Sequence, residues 1–258
     1  MNILLTNDDG ILAEGIYELA KELEKYHNVM IVAPHEENSA KSHSITIYET
    51  LEVKEVKLDG LKSKAYSVTG TPADCVRIAM DQLVDPKDID IVISGTNKGL
   101  NAGMDVLYSG TVSAAIEGNI QNLPAIAVSA EYKNDTCNFK RAASCAVEVL
   151  DMVLKHEKVN EELLLNLNVP YLEEDEDIKG IKICKLGEAV YDYFKVDTNG
   201  NNNGTSRSFK IMGREEKEFQ VDTDRYYLEM KYATITPLKY NMTNEIVLKE
   251  MLKWYKIK

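Results

Sequence analysis

Two adjacent carboxylates, Asp8 and Asp9, follow a short apolar run (residues 2–6, NILLT) and precede Gly10. Held side by side they repel each other, unless a cation or hydrogen-bond donors lie close. Carboxylate oxygens suit a hard divalent ion such as Mg²⁺ or Mn²⁺. One Asp here could simply cap a following helix; two, with Asn7 beside them, exceed what a cap needs. Ser39 and Asn97 offer neutral oxygens on two later loops. Each alone is an ordinary turn residue, but beside Asp8 and Asp9 they would complete a site whose two negative charges balance one divalent ion. Ser109-Gly110-Thr111 stands where a run of small residues (VSAAIEGNI, 112–120) predicts a helix. Orphan N–H groups and the helix dipole favour an anion there, and Gly110 allows close approach. An ordinary N-cap would use the same residue types. His43 is a candidate acid or substrate contact, with a structural hydrogen bond as the alternative. A cation loop opposite an anion turn is suited to phosphate-ester chemistry.

The elements that position these residues follow from periodicity. Residues 2–6 predict a buried strand, and Ile16, Leu19, Ala20 and Leu23 recur at helical spacing over about 13–26. Val29–Ala33 is a second apolar run ending at Pro34, which completes a βαβ unit. Residues 35–44 are polar and loop-like. Segments 45–56 and 64–68 predict short strands about a turn at Asp59-Gly60, and Thr71-Pro72-Ala73-Asp74 opens a helix to about residue 84. Strands are predicted at 89–94, 124–129 and 163–169, and a helix at 139–155. Later segments read as strands of an extended arm (180–196 and 208–221) around a polar, mobile loop (197–206). A short helix (224–231), a strand (233–238) and a final helix (243–255) complete the chain. The class is three-layer α/β with a mostly parallel sheet and a β-rich C-terminal appendage. In such sheets ligands bind beyond the carboxyl ends of the strands. Loops 7–10, 34–44, 95–103 and 109–111 therefore converge on one edge.

Composition narrows the function. The chain has 258 residues, 42 acidic against 30 Lys and Arg, and a net charge of −12. That balance argues against coating a nucleic-acid polymer or an anionic membrane surface. Small phosphorylated substrates stay open, because a bound cation reverses the local field. No apolar stretch approaches the ~20 residues of a membrane span. Four dispersed cysteines, with no leader in the first residues, predict reduced thiols and a cytoplasmic location. Neither a dinucleotide-binding glycine fingerprint nor a P-loop is present, which counts against a Rossmann-type oxidoreductase. Asp88-Ile89-Asp90 precedes its strand, where a phosphatase nucleophile would follow one.

Longer segments carry a family resemblance. NDDGILAEGI (7–16), AP with SIT (33–46), VTGTPADCV (68–76) and SGTNKGLNAGMDVLYSGTVSAAIEG (94–118) occur in order, with NLNVP (166–170) and TDRYYLEMKYATITPL (223–238) beyond them. Together they resemble the stationary-phase survival protein SurE family of metal-dependent nucleotidases, over nearly the whole chain. The resemblance implies a Rossmann-like core (1–170) carrying the site. It also implies an arm with a C-terminal strand and helix (171–258) exchanged between subunits, in homodimers or homotetramers. It implies hydrolysis of nucleoside 5′-monophosphates, also 3′-monophosphates and short polyphosphate, with one divalent cation per subunit, Mg or Mn. Its metal ligands fall on Asp8, Asp9, Ser39 and Asn97, and its phosphate turn on Ser109, Gly110 and Thr111. Water activated by Asp8 is the first candidate nucleophile, and Asp8 itself the alternative. The chain departs from the family at His35-Glu36, where Asp-Arg is common, near Ser42, where glycine is common, and at residues 197–204. A non-catalytic, metal-dependent nucleotide sensor is the rival reading.

Overall fold

The computed structural model describes residues 1–155, 162–173, 176–188, 191–197, 205–213 and 218–254. The elements in chain order are β1 (Asn2–Thr6), α1 (Glu14–Leu23), β2 (Asn28–Pro34), β3 (Val53–Val56), β4 (Lys64–Val68), α2 (Pro72–Ile78), β5 (Ile91–Lys98) and α3 (Gly110–Ile120). They continue with β6 (Ala125–Ala130), the two-residue strands β7 (Tyr132–Lys133) and β8 (Thr136–Cys137), α4 (Phe139–Leu154) and β9 (Leu164–Val169). The last part holds β10 (Ile181–Ile183), β11 (Tyr191–Val196), β12 (Phe209–Gly213), α5 (Asp224–Glu229), β13 (Ala233–Pro237) and α6 (Glu245–Trp254).

Nine strands form one sheet in the order β10-β13-β9-β6-β5-β1-β2-β4-β3. The run from β9 to β4 is parallel, while β3 pairs antiparallel with β4 and β13 antiparallel with β9. Alternation along β1 explains the layers. Ile3 and Leu5 join α1 and α4 in one buried cluster, and Leu4 joins residues of α2 and α3 in the other. On α3, a Cβ at Gly118 would stand 2.7 Å from Val92, so glycine there lets the helix lie close on β5. From β1 the chain builds outward through β2 and β4, then returns to the other side of β1 as β5. The crevice at such a reversal is where open α/β sheets take ligands.

Three expectations change. Of segment 45–56 only Val53–Val56 is strand. The helix opened by Thr71 has its capping box with Asp74, but after Ile78 it widens into a π-turn over Ala79–Leu83. Of the segments expected to form the arm, β10 lies in the main sheet beside β13, and among the described residues β11 and β12 pair as a separate antiparallel hairpin. The segment after residue 170 thus contributes to the same sheet as the segment before it. Most of the loop expected at 197–206 lies outside the described residues.

Candidate active site

Asp8 and Asp9 leave the end of β1, and Asn97 lies near the end of the adjacent β5. The turn after β1 is held by Asn7, whose side chain accepts from the Gly10 N–H (3.2 Å) and donates to the Gly10 carbonyl (2.9 Å). Gly10 has φ +102°, a conformation that favours glycine. The helix-cap explanation of the acidic pair is excluded by geometry: the N-cap of α1 is Ala13, with no side-chain cap bond. Asn97 is aimed by an irregularity in the β5–β6 ladder between Ser94 and Asn97. Its side-chain N–H donates to the Gly99 carbonyl at 2.8 Å, which presents the amide oxygen as the atom available to a cation.

Ser39 sits on loop 35–46, which is strapped down at several points. Asn38 donates its N–H to the Asp8 carbonyl (2.7 Å), and Ser42 donates its N–H to Tyr108 (3.0 Å) and its hydroxyl to Leu107 (2.6 Å). Farther along, the Thr46 hydroxyl donates to Asp74 (2.6 Å) and the Thr71 hydroxyl to the Ser44 carbonyl (2.7 Å). The SIT and TGTPAD segments are thus a clasp between this loop and α2. Ser42 holds φ +54°, the left-handed conformation that explains why glycine suits the position; its bond to Leu107 offsets part of the cost. The Ser39 hydroxyl donates to Glu37 at 2.7 Å, leaving its oxygen lone pairs open.

Asp8 is the buried centre of the group, only 3% exposed. Its Oδ1 accepts from the Thr111 hydroxyl at 2.5 Å. A Cβ added at Gly110 would lie 2.8 Å from the Asp8 Cβ and 2.9 Å from its Oδ2, so glycine lets the start of α3 press against this carboxylate. Burial pushes the Asp8 carboxyl up to about 7; the Thr111 hydroxyl opposes that and the charge of Asp9 adds to it. Asp9 is raised as well, chiefly by burial, against the lowering effect of the Lys98 N–H, which its Oδ2 accepts at 2.9 Å. Two carboxylates raised by burial, with the charge of Asp9 adding at Asp8 and that of Glu37 at Asp9, are a natural seat for a cation. Among the described residues no three His, Cys, Asp or Glu side chains are grouped to hold a metal. Any ion here therefore draws on neutral oxygens as well, and two carboxylates with a hydroxyl and an amide suit a hard ion. The residues fit.

Asp8, Ser39, Asn97 and Ser109 line one cavity of about 670 Å³; Asp9, Gly110, Thr111 and His43 do not line it. Ser109 is the N-cap of α3, its Oγ accepting from the Val112 N–H at 3.0 Å. Thr111 is turned onto Asp8. His43 bonds Glu117 on α3 at 2.8 Å, and Arg77 approaches the same carboxylate at 3.3 Å. Burial pushes Glu117 up, but the His43 and Gln121 hydrogen bonds and the charges of His43 and Arg77 outweigh it and hold the carboxyl below its usual range. The structural alternative for His43 is therefore the geometry observed. Cysteine offers no nucleophile: burial pushes Cys137, Cys145 and Cys184 up to about 11 and Cys75 well above its ordinary value.

Sequence reasoning passed over Asp105, Arg225 and Asp224. Arg225 donates to Asp105 (2.5 Å), to the Ala102 carbonyl (2.7 Å) and to the Glu188 carbonyl (3.0 Å). Buried Asp224 accepts from the N–H groups of Gly103 (2.7 Å) and Gly187 (2.8 Å). This pair ties α5 to the loop leading into Ser109. The signal for it was the TDRYYL segment, whose acid–base pair had no assigned task.

The fold and site define an α/β protein with an oxygen-rich cluster and a helix N-terminus at the switch point of a mostly parallel sheet. Residues 3–193 match the family described as Survival protein SurE. Over 254 residues, 97% of each chain, it is 52% identical to a protein named 5′-nucleotidase SurE from Clostridium botulinum (strain 657 / Type Ba4). A protein of the same name from Clostridium tetani is 47% identical, over 99% of this chain and 100% of that one. The crystal structure of the SurE protein from Aquifex aeolicus superposes with a TM-score of 0.84 at 34% identity, covering 98% of this chain and 99% of that one. The chain belongs to the SurE family.

Proposed function

We propose that the chain is a divalent-metal-dependent phosphomonoesterase that hydrolyses nucleoside 5′-monophosphates to nucleoside and phosphate, with 3′-monophosphates and short polyphosphate as further substrates. The observation that carries this reading is the pairing of Asp8, buried against the start of α3, with Ser39 and Asn97 around one cavity. The relatives named 5′-nucleotidase support it, and nothing favours a sensor without turnover. Asp8, Asp9, Ser39 and Asn97 would hold one Mg²⁺ or Mn²⁺ per subunit. When bound, such an ion polarises a phosphate oxygen and neutralises charge developing in the transition state.

The remaining work falls to side chains and backbone. The Ser109 hydroxyl, which lines the cavity at the start of α3, holds a phosphate oxygen in place, a preorganised electrostatic contribution, with the Gly110 N–H directly behind it. Asp8, oriented by the Thr111 hydroxyl at Oδ1, is the acceptor for the proton of the attacking water; direct attack by Asp8 is the alternative. Thr111 acts through Asp8 by fixing its orientation. Four free cysteines suit a reducing, cytoplasmic location, and among the described residues no helix is long and apolar enough to cross a membrane. The direct test is phosphate release from AMP, GMP, CMP and UMP with Mg²⁺ or Mn²⁺, beside an EDTA control. Turnover with metal and none in EDTA supports the reading; turnover that survives EDTA removes the cation from it.

A further inference from the structure

We propose that Lys98 is the seat for a second phosphoryl group, and so the residue that sets how well this chain takes short phosphoanhydride substrates beside phosphate monoesters. This deepens, and rests on, the phosphomonoesterase reading. Three of the residues that line the Asp8 cavity carry charge: Asp8, Asp105 and Lys98. Asp105 is neutralised by Arg225 at 2.5 Å. The Lys98 ammonium instead stands over the Tyr132 ring, 4.3 Å from its centroid, a contact that steadies the charge without cancelling it. The ring is itself fixed, because the Tyr132 hydroxyl donates to Asp135 at 2.8 Å. Lys98 therefore brings a positioned positive charge to the cavity wall, next to Asn97.

Asp8 and Asp9 have different neighbours. Thr111 and Gly110, at the start of α3, contact Asp8, whereas Lys98 donates its N–H to Asp9 at 2.9 Å. The ammonium acts on Asp9 as well: burial raises that carboxyl most, and the Lys98 N–H and the Lys98 charge both lower it. The phosphate turn thus belongs to Asp8 and Lys98 to Asp9, so an anion held at Ser109 leaves Lys98 to a neighbouring phosphoryl group. Two carboxylates balance one divalent ion, and each added phosphoryl group brings further negative charge, which a compact ammonium answers. In tripolyphosphate, water adds to a terminal phosphorus and its proton passes to Asp8. The P–O bond to the next phosphoryl group breaks, and the electron pair leaves on the departing pyrophosphate. Lys98 touches the group that gains this charge.

Initial rates of phosphate release from tripolyphosphate and from AMP, at one fixed concentration of free Mg²⁺, give a ratio of kcat/KM values for each protein. Lys98→Ala should lower the ratio of tripolyphosphate to AMP roughly tenfold, the scale of one charge-assisted contact, and Lys98→Arg should retain it. A ratio unmoved in Lys98→Ala overturns the proposal, whether both values hold or both fall together, since an equal fall assigns the ammonium to the shared phosphate or the cation seat. A wild type that takes AMP but not tripolyphosphate overturns it too. Should the wild type release phosphate from neither, the phosphomonoesterase reading fails. Calorimetric affinities for methylenediphosphonate and for inorganic phosphate, with Mg²⁺ present, then decide Lys98 alone. A preference for the diphosphonate that is lost in Lys98→Ala supports the seat, and an absent or retained preference overturns it.

Discussion

Asp8 and Glu117 are both buried carboxylates, yet their surroundings bias them in opposite directions. Asp8 is raised to about 7 from an ordinary 3.8 by burial, so the stability of its protonated form is fully present below pH ~3.8 and is lost as pH rises through 7. Asp8→Asn removes that loss. In EDTA at pH 8 the variant should be more stable than wild type by about 1–2 kcal/mol, in line with site residues relieved of their strain, and the gap should close below pH 4. Glu117 is held below its ordinary 4.5, so its contribution is present above that value and is lost as pH falls through the lower folded value. Glu117→Gln should therefore cost about 2 kcal/mol at pH 7 and progressively less in acid. Denaturant midpoints across the pH range check both. Equal pH dependence in the two variants would contradict the environments described. The acidic pair was legible from residue types alone, because adjacent carboxylates at a strand end need an explanation. The partner of His43 was not, since Glu117 lies 74 positions away and only the clasped loop brings them together.

At the scale of elements, the Arg225–Asp224 brace is the least expected feature. It lets α5, more than a hundred residues downstream, hold the loop that ends in Ser109. Arg225→Lys keeps the charge but loses the forked geometry. It should lower kcat for phosphate release by about tenfold, the scale of loss a small misplacement of site groups brings, while the far-ultraviolet spectrum stays native. Unchanged kcat would reduce the brace to a packing contact. The strands and helices of the first half were legible because apolar runs and helical spacing alternate cleanly through β1, α1 and β2. The placement of β10 was not. Its short run has the same pattern as an arm strand, and its pairing with β13, itself paired with β9, depends on contacts far apart in sequence.

At the scale of the whole molecule, α6 has no buried residue, and Ile246, Met251, Leu252 and Trp254 are all largely exposed. A helix whose large apolar residues all stand exposed is rarely left in water. It supports the homodimer or homotetramer that the family resemblance implied. Sedimentation should report an oligomer, and Trp254→Asp should shift it toward monomer; a wild-type monomer at micromolar concentration would contradict the assignment. Spacing alone does not fix oligomeric state, because an amphipathic terminal helix has the same pattern whether its partner is its own core or another chain.

Phosphate release from AMP by Asp8→Asn beside wild type, both at saturating Mn²⁺, tests the central claim most directly. The variant should be folded, by the stability argument above, and its kcat should fall by about a thousandfold or more, as expected when a principal site electrostatic group is removed. A folded Asp8→Asn protein that keeps wild-type turnover would contradict the assignment of the site.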